Sequence, residues 1–261
     1  MNTYRFMSCN VRLQTNHDGI NQFCNRAEFL GETLEEIRPD VIGFQELTCA
    51  MRLELMKYLP DYFIAGGGRD ASRLDESPAI GFLKDRFLLE QLSTEILSMT
   101  PHIPGTTYGG DQSPCPRAFC AAVLMPVSGG RPFRFMNVHT DHAGAQARMF
   151  ASMQLLQALS RADESERLPT IITGDFNAAP ETPEIHLITE YKGRRLTDAT
   201  GKLPPTYHDF DMLAEKVKID YIFLSDEWEP LKAESFHKKR GELFLSDHDP
   251  VMVTCRIADN P

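Results

Sequence analysis

An α/β fold of two packed β-sheets flanked by helices is the architecture that the sequence predicts. Short apolar runs typical of β-strands recur along the 261 residues, whereas helical periodicity is confined to a few segments. This balance of many strands and few helices favours two packed sheets over one doubly wound parallel sheet. The 42% apolar content is enough for a large core, and no linker rich in Gly, Ser or Pro interrupts the pattern. We therefore expect one domain over residues 1–261.

The first elements of the chain are a strand, a helix and a second strand. Residues 22–38 carry apolar side chains at alternating steps of four and three residues, the spacing of an amphipathic helix, and Pro39 ends it. Strand-like runs at residues 4–9 and 41–44 flank this helix. A short helix is expected after Glu46 to about residue 58, followed by strands near residues 62–65, 78–83 and 85–89.

Two loops separate these elements from the second half of the chain. Residues 66–69, Gly-Gly-Gly-Arg, are expected to form a flexible bend and lack the helix-opening pattern of a nucleotide-binding loop. Residues 93–116 are rich in Thr, Pro and Gly, and predict a long loop over one end of a sheet. Because long ordered loops often carry function, we expect this loop to shape the site.

The second half again combines strands with helices. Strands at residues 118–125 and 132–139 are joined by a hairpin turn at residues 128–130, Ser-Gly-Gly. A helix is predicted over residues 145–159, and its core-facing residues are expected to include Met149, Met153, Leu156 and Leu159. Trp228 is placed in a late loop. The remaining elements are a strand at 169–173, a short helix at 183–189 and strands at 218–224 and 250–257.

The charge and hydrophobicity of the sequence argue against several classes of protein. A formal net charge of −10 argues against a protein that binds duplex DNA by neutralising many phosphates with Lys and Arg. No stretch approaches the ~18 uncharged apolar residues of a membrane span, and the N-terminus lacks the apolar core of a signal peptide. We therefore expect a cytoplasmic protein.

The six cysteines include no Cys-x-x-Cys pair, and several lie in apolar runs where a thiol packs as a small hydrophobe. We expect them to be reduced core residues. Cys115 and Cys120 bracket a junction between loop and strand, so a disulfide or a metal site there is the less favoured alternative.

Asp175 and Asn177 are the most informative residues of the chain. They directly follow the apolar run 169–173, and side chains two positions apart lie on one face at a strand end. Alone this is a weak signal, because Asp and Asn also favour turns. It is strengthened by polar residues at the ends of, or within, other apolar runs, namely Asn10, Glu46, His139, Asp220, Asp247 and His248.

Acids, amides and histidines that converge on strand ends suit the metal-assisted hydrolysis of a phosphate ester. In such a site a divalent ion neutralises phosphate charge while a carboxylate activates water. Oxygen ligands from Glu and Asp favour Mg²⁺ or Mn²⁺ over softer ions. We expect Mg²⁺, with Mn²⁺ as the alternative.

Six motifs that contain these residues follow one another along the chain. They are Ser8-Cys9-Asn10-Val11-Arg12, Gly43-Phe44-Gln45-Glu46-Leu47, Asn137-Val138-His139-Thr140-Asp141-His142, Thr173-Gly174-Asp175-Phe176-Asn177, Ile219-Asp220-Tyr221-Ile222 and Ser246-Asp247-His248-Asp249-Pro250. Their order resembles that of the endonuclease/exonuclease/phosphatase superfamily of DNase I-like and exonuclease III-like metal-dependent hydrolases. The resemblance runs from Asn10 to the last strand. It implies a four-layered α/β sandwich with the site at one end of its two sheets.

The resemblance also implies which residues hold the metal ion and activate water. Glu46, with help from Asn10 and Asp247, matches the ligands of the divalent ion. Asp175 matches the residue that orients or deprotonates the attacking water, and Asn177 matches the one that holds a phosphate oxygen.

Two histidines match phosphate-contacting residues of the superfamily. His248 is expected to stabilise the phosphoryl group in the transition state, with Asp220 behind it to fix its tautomer and keep it protonated. His139 matches a second histidine that contacts phosphate. The alternative for Asp220 is a simple ion pair with Lys218.

Arg117 and His142 are candidate substrate contacts. Arg117 resembles an arginine that follows proline ahead of this strand in the smaller bacterial members, and its planar guanidinium suits phosphate; a pair with a surface acid is the alternative. His142 is kept as a substrate contact. It could instead join His139 and Asp175 in a transition-metal site, but the spacing of three residues places the two histidines on opposite faces of a continuous strand.

A Mg²⁺-dependent phosphodiesterase is the leading functional prediction, with single-stranded nucleic acid or a nucleotide-like molecule as substrate. The alternative within enzymes is a phosphomonoesterase for sugar, inositol or other small phosphorylated metabolites. A catalytically silent binding module is the alternative from another class, and the complete set of site residues argues against it. We expect a monomer with no protein partner.

Overall fold

The computed structural model describes residues 3–258. The α-helices are α1 (Phe23–Ile37), α2 (Cys49–Leu55), α3 (Ala145–Ser165) and α4 (Pro183–Thr189), and a 3-10 helix spans Asn16–Asn21. The strands are β1 (Thr3–Asn10), β2 (Val41–Gln45), β3 (Tyr62–Ala65), β4 (Ile80–Leu83), β5 (Phe87–Ile96), β6 (Ala118–Pro126), β7 (Phe133–His139), β8 (Thr170–Asp175), β9 (Leu196–Asp198), β10 (Asp220–Ser225), β11 (Trp228–Ser235), β12 (Lys239–Arg240), β13 (Leu243–Phe244) and β14 (Val251–Ile257).

Two six-stranded sheets form the centre of the fold. Sheet 1 has the strand order β11-β14-β1-β2-β4-β3, and sheet 2 has the order β5-β6-β7-β8-β10-β9. Parallel pairing joins β1 to β2 and β7 to β8, whereas the other neighbours are antiparallel. The predicted class, two packed mixed sheets flanked by helices, is confirmed.

An aromatic cluster fills the space between the two sheets. Tyr4 and Phe6 of β1 meet Phe133 of β7 and Trp228 of β11, and the ring centroids of Phe6 and Trp228 are 5.1 Å apart, edge to face. Such aromatic pairs contribute about 0.5–1.5 kcal/mol each beyond the area that they bury. The placement of Trp228 in a loop is therefore wrong, because this residue begins an edge strand and is buried.

Helices cover the outer face of each sheet. Leu30 and Leu34 of α1 pack with Phe44 of sheet 1, and Leu155 of α3 packs with Ile172 of sheet 2. The result is the four-layered α/β sandwich that the resemblance implies. Within residues 3–258, no helix has the length and apolar character that crossing a bilayer requires.

The interpretation of the methionines in α3 is wrong for Met153. This side chain is 57% exposed, and Met149 is half-buried. A residue two positions from Ala151 lies about 200° around the helix axis, on the solvent side. The buried stripe of α3 includes Ala147, Ala151, Leu155, Leu156, Ala158 and Leu159.

The sheet edges differ most from the sequence-based expectation. β5 continues to Ile96, so the long loop begins at residue 97 and not at residue 93. The sequence does not predict strands β9 and β11 or the β12–β13 hairpin. Edge strands expose one side to solvent, so they need no continuous apolar run and leave a weaker pattern in the sequence.

The cysteines are unpaired, as expected, so no disulfide joins Cys115 to Cys120. Cys9, Cys120 and Cys255 are buried in the core. Cys24 is exposed at the start of α1, so its placement in the core is wrong.

A buried amide, that of Asn137 in β7, joins the two sheets. Its Nδ2 donates to the carbonyl oxygens of Phe44, at 2.7 Å, and Ala79, at 3.0 Å, both in the layer of sheet 1. Its Oδ1 accepts from Gln45 Nε2 at 2.6 Å and from Thr173 Oγ1 at 3.1 Å. The amide thus pairs backbone and side-chain groups that have no access to water.

The close approach of the sheets around this amide requires a glycine at position 43. A Cβ atom on Gly43 would lie 2.2 Å from Thr173 Oγ1 and 2.5 Å from Asn137 Oδ1. Both distances are well inside van der Waals contact, so only a residue without a side chain allows β2 to lie this close to sheet 2.

Asn137→Ala is expected to lower the free energy of unfolding by about 2–4 kcal/mol, because several buried groups lose their partners and each unpaired group costs ~1–3 kcal/mol. Urea denaturation measures this change. Asn25→Ala is the matched control, since this exposed amide donates only to the Ile20 carbonyl and its loss is expected to cost about 0.5 kcal/mol or less. Equal stability of the two variants would contradict a role of Asn137 in joining the sheets.

Candidate active site

A polar pocket of about 430 Å³ lies where the central strands of both sheets end. Asn10, His139 and Asp175 are the last residues of β1, β7 and β8, and Glu46 directly follows β2. The predicted residues that line the pocket are Glu46, Arg117, His139, His142, Asp175, Asn177, Asp247 and His248. Asn10 and Asp220 are buried directly behind them. The structure therefore brings the predicted site residues together.

Asn10 holds two carboxylates at the floor of the pocket. Its Nδ2 donates to Glu46 Oε1 at 3.1 Å and to Asp175 Oδ2 at 2.9 Å. Glu46 has a φ of 63°, an uncommon value for a residue with a side chain, and its Oε2 accepts the Leu13 N–H at 2.8 Å. The backbone at the end of β2 is thus turned so that this carboxylate faces the pocket.

Burial makes the charged forms of the carboxylates in the pocket costly. Burial raises the pKa of Asp175 to about 7, and the nearby charge of Asp220 adds to the effect. Burial also raises the pKa of Asp247, helped by the charge of Glu46. Arg12 compensates only in part, because its Nε is 3.6 Å from Asp247 and 2.9 Å from Asp18. A cation at this place would favour the charged form of every carboxylate.

His248 and Asp220 form a buried pair beside these carboxylates. His248 Nδ1 lies 2.9 Å from Asp220 Oδ2, and its Nε2 points toward the pocket, 3.8 Å from Asp175 Oδ2. Burial opposes the charge on the imidazole, but the negative charges of Asp220 and Asp247 outweigh it and raise the pKa of His248 well above its usual value. The pair therefore presents a protonated Nε2–H to the pocket.

Asp220 does not pair its carboxylate with Lys218. The lysine Nζ donates to the backbone carbonyl of Asp220 at 3.1 Å and lies 3.5 Å from Asp198 Oδ2. The second contact of the Asp220 carboxylate is the Thr206 hydroxyl, at 2.6 Å. The simple ion-pair alternative is therefore wrong for this side chain.

Arg117 joins the two histidines on the opposite wall. Its Nη1 lies 2.9 Å from His139 Nε2, and its Nη2 lies 2.7 Å from His142 Nδ1. Burial and the charge of Arg117 lower the pKa of His139, so this imidazole is neutral. The acid beside Arg117 is the buried Asp141, at 3.4 Å, rather than a surface residue.

His142 reaches the pocket because β7 ends before it. The strand stops at His139, so the alternation of faces that would separate the two histidines does not extend to residue 142. A group able to hold a metal ion does form from Glu46, His139 and Asp175, with ligand atoms within 4.8 Å of one another, but His142 is outside it. The three-residue site of His139, His142 and Asp175 is therefore not the arrangement found.

Asn177 lies at the lip of the pocket in a left-handed conformation, with a φ of 46°. Its backbone N–H donates to Asp175 Oδ1 at 2.9 Å, and its Nδ2 donates to the Thr140 carbonyl at 3.2 Å. The turn thus fixes the Asp175 carboxylate as well as the amide.

Arg69 and Glu76 line the pocket and are absent from the sequence-based set. Arg69 is only 5% exposed, and its Nη2 donates to Glu76 Oε1 at 2.6 Å. Among the described residues, neither its Nε nor its Nη1 has a hydrogen-bond partner, although Asp75 Oδ2 lies 3.7 Å from Nε. The interpretation of residues 66–69 as a mere flexible bend is wrong, because the Arg69 N–H donates to the Glu76 carbonyl and orders the loop. The position of Arg69 directly after three glycines is the sequence signal that could have identified it as a pocket residue.

Tyr207 is a further pocket residue that the sequence does not identify. Its ring lies beside the imidazole of His248, with centroids 4.8 Å apart. It belongs to a segment without regular secondary structure, where no periodicity indicates which side chains face inward.

Solved structures share this fold. An endonuclease/exonuclease/phosphatase from Bacteroides vulgatus is 25% identical with a TM-score of 0.91, over 99% of this chain and 100% of that one. A mannosyl-6-phosphatase from Bacteroides thetaiotaomicron is also 25% identical, with a TM-score of 0.86 over 97% and 100% of the chains. The catalytic domain of human Nocturnin with bound sulfate, at 19% identity and a TM-score of 0.77 over 98% and 94%, supports the fold alone. A comparison with curated proteins found no match.

A family model extends the likeness to the sequence. The model described as the Endonuclease/Exonuclease/phosphatase family matches residues 7–248, a range that begins before Asn10 and ends at His248. Members of this family are phosphoesterase hydrolases, and the protein is therefore an enzyme that acts on phosphate ester bonds. On the evidence of this match, the chain belongs to the Endonuclease/Exonuclease/phosphatase family.

Proposed function

We propose that this phosphoesterase depends on a divalent metal ion and hydrolyses a phosphate monoester of a small, sugar-like molecule. The observation that carries the proposal is the gathering of Glu46, Asp175 and Asp247 in one pocket, where burial raises the pKa of both aspartates despite the nearby positive side chains. Like charges this close destabilise one another unless a cation lies between them or one of them takes up a proton. A divalent ion supplies the missing charge.

The donor set fits an ion that prefers oxygen. Glu46, with Asn10 and Asp247, would hold it, and these side chains offer carboxylate and amide oxygens. Oxygen donors favour Mg²⁺ or Mn²⁺, and we propose Mg²⁺. When bound, the ion would neutralise charge on the phosphoryl oxygens.

Asp175 would orient the attacking water and accept its proton. Two hydrogen bonds hold its carboxylate, from Asn10 Nδ2 at 2.9 Å and from the Asn177 N–H at 2.9 Å. A pKa of about 7 suits a general base near neutral pH, because such a group takes up and releases a proton readily.

His248 would stabilise the negative charge that develops on the phosphoryl group. Its Nδ1 is bound to Asp220 at 2.9 Å, so its charged Nε2–H is already directed into the pocket before substrate arrives. A donor held in place in advance needs no reorganisation during the reaction. The amide of Asn177 and the imidazole of His139 would contact other phosphoryl oxygens.

The arginines of the pocket favour a monoester over a diester. A phosphate monoester carries more negative charge than a diester, and Arg69 has two buried donors without hydrogen-bond partners among residues 3–258. Arg117 and His142 add further donors on the same side. Guanidinium groups bind phosphate oxygens in paired hydrogen bonds, which suits a terminal phosphoryl group.

The size of the pocket favours a small substrate. A volume of about 430 Å³ lies in the range of small-molecule sites. A net charge of −10 disfavours a long polyanion. A solved structure 25% identical to this chain is named a mannosyl-6-phosphatase.

We therefore propose a monoester as the preferred substrate and a diester as the alternative. The sequence alone indicates the opposite preference, with phosphodiesters of nucleic acid or nucleotide-like molecules first. The diester is the alternative that an assay decides. The silent binding module is not supported, since the family consists of phosphoesterases. The monomeric state and the cytoplasmic location stay predictions.

Substrate and metal dependence can be measured together as phosphate or nitrophenol release. With Mg²⁺, we expect turnover of sugar 6-phosphates and p-nitrophenyl phosphate to exceed that of bis-p-nitrophenyl phosphate and of single-stranded RNA or DNA. A chelator is expected to abolish turnover, and Glu46→Gln to raise the Mg²⁺ concentration needed for half-maximal rate. Faster cleavage of diesters would reverse the substrate assignment, and full activity with chelator would refute the metal dependence.

Asp175→Asn and His248→Ala are each expected to lower kcat by about 100- to 10,000-fold, because they remove the general base and the charged donor. Circular dichroism should show an unchanged fold, since both side chains lie at the wall of a pocket. His186→Ala, an exposed histidine on α4 outside the pocket, is the control and should keep full activity. Unaltered turnover in either of the first two variants would refute its role.

Arg69→Gln tests the preference for monoesters. We expect kcat/KM for a monoester to fall about 10- to 100-fold, the size of one or two charge-assisted hydrogen bonds, and that for a diester to change much less. Arg161→Gln is the matched control, because this exposed arginine pairs with Glu95 away from the pocket. An equal loss for both substrates would indicate that Arg69 acts on stability or on the site in general.

A further inference from the structure

Two histidines and an aspartate form a second cluster, outside the active-site pocket. In this cluster, named here the His208 cluster, one ligand atom each from His208, Asp211 and His237 lies within 4.8 Å of the other two. The His208 side chain is buried, whereas those of Asp211 and His237 are 33% and 38% exposed. An ion from solvent can therefore reach the cluster.

A single carboxylate orients both imidazoles. Asp249 Oδ1 lies 3.1 Å from His208 Nε2 and 2.8 Å from His237 Nδ1. The backbone N–H of Asp211 donates to His208 Nδ1 at 3.2 Å, which assigns the ring proton of His208 to Nε2. Each ring thus turns one nitrogen to Asp249 and leaves the other facing Asp211.

The second nitrogen of each ring and the Asp211 carboxylate converge. His208 Nδ1 is 3.8 Å from Asp211 Oδ1, and His237 Nε2 is 3.5 Å from Asp211 Oδ2. Ligand atoms around a tetrahedral zinc ion, with bonds of ~2.0–2.1 Å, are separated by about 3.4 Å. The two separations from Asp211 are close to that value, and an ion on His208 Nδ1 would replace the hydrogen bond from the Asp211 N–H.

We propose that His208, Asp211 and His237 bind a zinc-class divalent transition metal ion at a site separate from the catalytic one. Two imidazoles and a carboxylate are a common ligand set for such ions, and water completes the tetrahedron. Asp249 accepts the hydrogen bonds that metal-ligating histidines characteristically donate from their second nitrogen. This set differs from the mainly oxygen donors of the active site, so the two sites select different ions.

Two lysines form ion pairs with the Asp211 carboxylate. Lys216 Nζ lies 2.9 Å from Oδ1 and Lys239 Nζ lies 2.5 Å from Oδ2. Both lysine side chains are more than a third exposed, so they can move into solvent when an ion binds. Exposed ion pairs of this kind contribute little to stability, and their loss opposes metal binding only weakly.

The cluster adjoins the active site through one segment of chain. The N–H groups of His208 and Asp209 donate to the Asp247 carbonyl at 3.0 and 3.2 Å, and the ring of Tyr207 contacts His248. An ion in the His208 cluster would tie this segment to His237 and so hold the backbone on which His248 lies. Its role would be to stabilise the wall of the pocket rather than to take part in hydrolysis.

Cobalt(II) is the probe that tests this site, because tetrahedral Co²⁺ has intense visible absorption and replaces Zn²⁺. The chelator-treated full chain is titrated with Co²⁺ in a large excess of Mg²⁺, and calorimetry gives the stoichiometry. We expect the wild type and Glu46→Gln to bind one Co²⁺ with a tetrahedral spectrum. His237→Ala and Asp211→Asn are expected to lose that spectrum, whereas the control His186→Ala keeps it.

Thermal unfolding provides a second measurement. Zn²⁺ is expected to raise the melting temperature of the wild type and of Glu46→Gln, and to leave that of His237→Ala unchanged. If His237→Ala does not fold, as circular dichroism of the metal-free variant would reveal, Asp211→Asn at a partly exposed position carries the same test. The proposal is overturned if these variants bind Co²⁺ as the wild type does, or if Glu46→Gln removes the tetrahedral spectrum.

Discussion

The position of the active site depends on the buried amide of Asn137. This side chain joins β7 to the Phe44 and Ala79 carbonyls across the gap between the sheets. His139 lies two residues further along β7, and Glu46 lies two residues beyond Phe44, so both reach the same end of the sandwich. The register that pairs His139 with Asp175 brings in β8. The hydrogen bonds of this one buried amide thus fix the distance between site residues that belong to different sheets, Glu46 on one side and His139 and Asp175 on the other.

The end of the sandwich concentrates charges that a protein interior otherwise avoids. Burial penalises each charge, so each needs a partner, and Asp220 has one in His248. Asp175 is only 3.8 Å from the same imidazole, but burial and the charge of Asp220 outweigh that contact and raise its pKa. Arg69 is paired with Glu76, but its Nε and Nη1 have no hydrogen-bond partner among the described residues. The pocket thus combines buried carboxylates with buried arginine donors that have no hydrogen-bond partner among the described residues.

The segment around Tyr207 connects His248 to the rest of the fold. Thr206 donates to Asp220, the Tyr207 ring contacts His248, and the next two N–H groups hold the Asp247 carbonyl. The segment has little regular secondary structure, so these contacts replace the ladder of a strand. The His208 cluster lies at its far end, where Asp249 receives hydrogen bonds from both imidazoles. The position of the His248 side chain is therefore set by loop residues such as Tyr207 and by Asp220 of β10.

The sequence alone determined the fold class, the central strands and the candidate site residues Asn10, Glu46, Asp175 and His248. The reason is that a buried strand is a continuous apolar run and that the polar residue at its end directly follows it in the sequence. Only the tertiary structure decided the edge strands β9 and β11, the solvent-facing side of α3, the exposure of Cys24 and the place of the loop residue Arg69 in the pocket. Edge strands and loops lack a continuous apolar face. The positions of their side chains are set by contacts with residues that are distant in the sequence. Glu76 for Arg69, and Asp249 for His208 and His237, are contacts that no local pattern encodes.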